Sequence, residues 1–250
     1  MTTLPRPILV GIAAAWAAAI GAQVAGVAAL ASHDSLLTGD RPPFLEAALI
    51  ALLAWQVMIA AMMLPSSLPL VRLYSRATER APQRGRSMAA FIGGYAVMWS
   101  AFGLAAFSFD ASIHAAVNSS SWLRHHDWWI GGTTLALAGV FQFTSLKDAC
   151  LEKCRHPAQF LTRYYERGPA GGFKLGARHG AFCVGCCWAL MLVMFAAGVA
   201  SLVWMALLTA VMIHEKTRPM GAKAVPVTGV ALLGAASIVL MYSAYAAGAV

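Results

Sequence analysis

Apolar residues run along this chain in long blocks, and nearly all of the charge is confined to the short stretches between them. A helix that crosses a bilayer needs roughly 20 apolar residues, and the blocks at about 8–31, 44–64, 88–109, 128–146 and 225–247 each approach that length. The stretch from Gly180 to Ile213 contains no Asp, Glu, Lys or Arg. As one helix it would be about 50 Å long, against a hydrocarbon core of about 30 Å. It therefore predicts two spans, 180–197 and 199–213, joined by a tight reversal at Gly198 near Ser201. A sheet edge cannot face lipid, so the blocks are read as helices. The expected fold is all-α: a single polytopic membrane bundle over residues 1–250 with about seven transmembrane helices.

Composition supports this reading. Hydrophobic residues make up 60% of the 250 and charged residues 11%, where a soluble domain has roughly 25% charged. The net charge of +8 would suggest nucleic acid in a soluble protein. Here the basic residues lie between apolar blocks, which is how membrane proteins encode orientation, so no nucleic-acid partner is expected. With the N-terminus in the cytoplasm, 16 of the 18 Lys and Arg fall on the inner side. The chain is thus expected in the bacterial inner membrane with a cytoplasmic N-terminus. Ala29-Leu30-Ala31 resembles a signal-peptide cleavage site, but the apolar region before it is too long for one.

The chemistry gathers at the predicted cytoplasmic boundary. Cys150 and Cys154, four residues apart, share a helix face if the fourth helix continues past Leu146. Cys183, Cys186 and Cys187 form a C-x-x-C-C run, with Cys183 on the face of both others. In a reducing compartment, clustered thiols read as metal ligands or redox groups. Met62, Met63, Gln142, Lys147, His156, His179 and Glu215 fall at the same boundary and are candidate accessory residues, while Glu215-Lys216 also reads as a charge pair at a helix end. Thiolate, thioether and imidazole favour Cu(I) first and Zn(II) second over hard cations. On the outer side His33, His114, His125 and His126 could bind metal, although Trp122, Trp128 and Trp129 beside the last two make an aromatic belt the simpler reading. The loop from Lys147 to His179 has room for a small helix, limited by Pro157, Gly168-Pro169 and Gly171-Gly172.

Six motifs occur in order: Met62-Met63-Leu64-Pro65-Ser66, Gln142 followed by Leu146-Lys147, Cys150-Leu151-x-x-Cys154-Arg155, Cys183-x-Gly185-Cys186-Cys187-Trp188-x-Leu190-Met191, Trp204-Met205, and Glu215-Lys216. Together they resemble an uncharacterised bacterial family of predicted metal-binding integral membrane proteins, from about Trp55 to Lys216. The resemblance implies metal binding and carries no reaction or cargo with it.

The expected function is thus binding of copper or zinc by Cys150, Cys154, Cys183, Cys186 and Cys187, in transport of the ion or its delivery to a metal-dependent membrane or periplasmic enzyme. Two other readings stay open: a membrane thiol-disulfide oxidoreductase using Cys183 and Cys186, and a structural or assembly subunit whose cysteines only pack.

Overall fold

A computed structural model describes residues 6–28, 33–37, 42–126, 128–197, 201–217 and 221–248. In chain order the helices are α1 (Arg6–Val24), α2 (His33–Leu37), α3 (Phe44–Ala77), α4 (Arg84–Ser119), α5 (Ser121–His125), α6 (Trp128–Phe141), α7 (Ser145–Arg155), α8 (Pro157–Tyr164), α9 (Gly168–Ala197), α10 (Leu202–Thr217) and α11 (Gly221–Gly248). There is no strand among the described residues. Five helical stretches are long and apolar enough to cross a membrane: Arg6–Val24, Phe44–Ala77, Arg84–Ser119, Gly168–Met194 and Lys223–Ala246. Helices α6 and α10 are shorter, with 14 and 16 residues.

Helix α3 continues through Pro65 and Pro69 and does not stop where the apolar block ends. A proline inside a helix leaves the carbonyl four residues earlier without its N–H partner. For Pro65 that carbonyl belongs to Ala61, and the indole of Trp16 in α1 donates to it at 3.0 Å. Ser66 in turn donates to the Met63 carbonyl at 2.9 Å. The Trp16 bond replaces the partner that Pro65 cannot supply and fixes α1 against α3, and Met62 and Met63 lie in the fully buried core.

Helix α9 begins earlier than its apolar block. Pro169 stands in its first turn, where the missing N–H costs nothing, and Gly171-Gly172 lies inside the helix and does not bound a loop. Gly172, Gly176 and Gly180 recur every four residues and form one face toward α4. A Cβ at Gly176 would overlap the Phe91 carbonyl, and one at Gly94 the Phe173 carbonyl. Small residues at this spacing let two helix backbones touch, the usual way to pack helices where no water drives them together.

One further boundary differs from the sequence reading. Helix α6 ends at Phe141, and a turn separates it from α7, whose start is capped by the Thr144 hydroxyl accepting from Lys147 N at 3.3 Å. Cys150 and Cys154 still share a helix face, but on α7. The predicted reversal point, Gly198, lies outside the described residues. Helix α9 runs from Cys183 on to Ala197, and α10 brings Lys216 Nζ to 3.2 Å from Cys183 Sγ. The two helices are therefore antiparallel. The end of α3, the starts of α4, α9 and α11, the end of α10 and all of α7 and α8 meet at one end of the bundle. The links are Tyr74 to the Ser87 carbonyl, Tyr165 to the Ala77 carbonyl and Arg155 to the Glu215 carbonyl, with Gly221 packed against the backbone of Glu215.

Candidate metal centre

Helix periodicity decides which cysteines can meet. On α9 the thiols of Cys186 and Cys187 donate back to the Cys183 carbonyl, at 3.1 and 2.8 Å, as positions i+3 and i+4 allow. Because Cys186 and Cys187 are adjacent, their side chains diverge around the helix. Cys186 Sγ faces α7 and lies 4.0 Å from Cys154 Sγ. Cys187 Sγ faces α3 and lies 3.8 Å from Met63 Sδ. Cys183 is also fully buried, in contact with the Tyr95 hydroxyl at 3.1 Å. Cys154 is only partly buried, so the cluster has an edge at the bundle end. Cys150 packs against the backbone of Gly185, where a Cβ would come to 2.6 Å from its sulfur, and so flanks the others. All five are free thiols. On α7, the hydrogen bond with Cys186 and burial hold the Cys154 thiol well above its ordinary pKa, and burial pushes Cys150 up as well.

These spacings suit a shared soft ion. Two sulfurs 4.0 Å apart, each bonded to one metal at about 2.3 Å, subtend an angle of about 120°. Among the described residues no set of three His, Cys, Asp or Glu side chains is arranged to hold a metal as it stands. The arrangement therefore offers a two-thiol seat, with a thioether-thiol pair, Met63 and Cys187, behind it. Such low coordination suits Cu(I), whereas structural Zn(II) takes four ligands.

A family of copper chaperones, PpoB2, matches residues 52–239. The chain belongs to the copper chaperone family. No curated protein and no solved structure matches it. The match covers every cysteine, and the family's description names copper, the first of the two metals that the sequence left open.

The other expected residues separate into groups. Lys147 and Glu215 form a buried ion pair at 2.7 Å, and Arg155 Nε donates to the Glu215 carbonyl at 2.7 Å. Gln142 is buried, and neither its amide oxygen nor its amide nitrogen has a partner among the described residues. Met62 is buried in the same core as the thiols. His179 is buried, shares a hydrogen bond with Ser67 at 3.1 Å and stacks on Tyr95. Ser67 donates to Tyr95 at 3.3 Å, so His179 connects to Cys183 through two hydroxyls. His156, by contrast, is exposed. On the far side His126 stacks on Trp122 at 4.6 Å, as an aromatic belt would have it, and His114 faces Asp110 at 3.6 Å. His125 is exposed, and the His33 side chain lies outside the described residues.

Glu215-Lys216 is not a pair at all. Adjacent helical residues point about 100° apart, so Glu215 reaches Lys147 while Lys216 turns to the thiols. Its ammonium donates to Ser66 Oγ at 3.1 Å and Cys183 Sγ at 3.2 Å, and lies 3.8 Å from Cys187 Sγ. Lys216 and Tyr95 are the site residues that sequence reasoning missed. The available signal was the Glu215-Lys216 motif, which closes a stretch that is uncharged from Gly180 to Ile213.

Proposed function

We propose that this copper chaperone is a seven-pass inner-membrane protein that takes Cu(I) between Cys154 and Cys186 at its cytoplasmic face and passes it to a metal-dependent enzyme in or beyond the membrane. Helix α6, with the turn after it, and helix α10 supply the fourth and sixth passes. The orientation follows from the 16 of 18 basic residues on the inner side. Copper is the cargo here. Cys183, Cys187 and Met63 form the deeper sulfur station, Cys150 supports the outer one, and Gln142, Lys147 and Glu215 hold α7 and α10 together beside it. The observation that carries the reading is the 4.0 Å approach of thiols from two different helices, at a spacing that one metal bridges.

Titration of Cu(I) into the detergent-purified protein, against a chromogenic Cu(I) chelator, tests it. Losing even a group that only orients a ligand costs about 10–100-fold in metal affinity. Cys154→Ser and Cys186→Ser are each expected to lose at least that much, and Cys150→Ser less. Equal affinity in all three variants and the parent protein contradicts the reading.

A further inference from the structure

Lys216 stands out as a buried cation without a carboxylate. It is 5% exposed, and the ion pairs among the described residues leave it none, since Glu215 is engaged by Lys147. Its neighbours are the hydroxyl of Ser66 and the sulfurs of Cys183 and Cys187. A lone buried charge is costly unless something opposite in sign compensates it. The missing negative charge has to come from the site itself.

Charge balance identifies when it appears. Two thiolates carrying one Cu(I) have a net charge of −1, and with the ammonium of Lys216 the sum is zero. The same two thiolates carrying Zn(II) are neutral, and Lys216 then leaves an uncompensated positive charge in a low-dielectric interior. A third thiolate would restore the balance for zinc. The candidates, Cys183 and Cys187, are the sulfurs Lys216 holds, and no three ligands converge among the described residues. We propose that Lys216 is the specificity-determining residue of the metal centre: its buried ammonium, 3.2 Å from Cys183 Sγ and 3.8 Å from Cys187 Sγ, restricts the site to a monovalent soft ion on two thiolates and rejects divalent zinc. Selection of this kind works by penalising the wrong ion as much as by binding the right one.

This inference rests on copper binding at the cysteines, and the test separates the two. Cu(I) and Zn(II) affinities are measured on the full-length protein in detergent with buffered free metal, for the parent protein, Lys216→Met, Lys216→Gln and Lys216→Arg. The parent and Lys216→Arg are expected to bind Cu(I) with strong preference. Lys216→Met is expected to bind Cu(I) more weakly and Zn(II) more tightly, shifting the affinity ratio by at least about tenfold. Lys216→Gln keeps a donor for Ser66 without the charge and reports the same shift if Lys216→Met does not fold. A side chain that only packs would not move the ratio. Copper binding by the parent with an unchanged ratio in the uncharged variants overturns the role of Lys216 alone. A parent protein that binds no Cu(I), or binds Zn(II) as well, overturns it too, and the first of these also removes the copper reading.

Discussion

At the scale of single residues, the site is governed by which way adjacent side chains point. Cys186 and Cys187 follow one another, yet one meets Cys154 on α7 and the other Met63 on α3. Glu215 and Lys216 divide in the same way, so one turn of α10 serves both an ion pair and the thiol cluster. The Lys147–Glu215 pair is almost wholly buried. Removing one partner of such a pair leaves a stranded charge and costs about 3–5 kcal/mol, whereas replacing both with apolar residues can be neutral. Glu215→Leu is therefore expected to lower thermal stability sharply, and Lys147→Met with Glu215→Leu to recover most of it, as measured by melting of the detergent-solubilised protein. A double variant as unstable as the single one would show that the pair does more than balance itself.

At the scale of elements, the packing of α4 on α9 depends on backbones that touch. Gly176→Leu would push a side chain into the Phe91 carbonyl. Overpacking of that kind costs about 1–3 kcal/mol or more, and it would shift α9 and the three cysteines it carries. The expected outcome is a less stable protein with weaker copper binding, while Gly93→Leu, in open space on α4, changes neither. Equal behaviour of the two variants would contradict the close contact. This stripe was readable in the sequence as Gly172, Gly176 and Gly180, but glycines in a predicted loop look like turn residues. Pro169 and Gly171-Gly172 pointed to loop for the same reason. Likewise Pro65 marks a helix end by propensity, and the Trp16 indole that satisfies the Ala61 carbonyl lies too far away in sequence to be read beside it.

At the scale of the whole molecule, the long hydrophobic blocks were enough to predict an all-helical chain, because an apolar run of membrane-crossing length has few alternatives to the helix. The convergence of the two cysteine groups was legible too, since it needs only an even number of crossings between them and a loop long enough to fold back. The partner of each sulfur was not legible, because it depends on rotations of α7, α9 and α10 that sequence spacing does not contain. The proposed seven-pass orientation predicts that, in a chain with its native cysteines replaced, Arg80→Cys is labelled by an impermeant maleimide only from the cytoplasm and Asn118→Cys only from outside. Labelling of both from one side would contradict it. The central claim is that sulfur atoms from separate helices hold copper, and X-ray absorption at the copper edge of the Cu(I)-loaded protein tests it most directly. The account predicts a shell of two sulfurs at about 2.3 Å, reduced when Cys186 is replaced by Ser. A shell of nitrogen or oxygen donors, or one indifferent to that replacement, would contradict it.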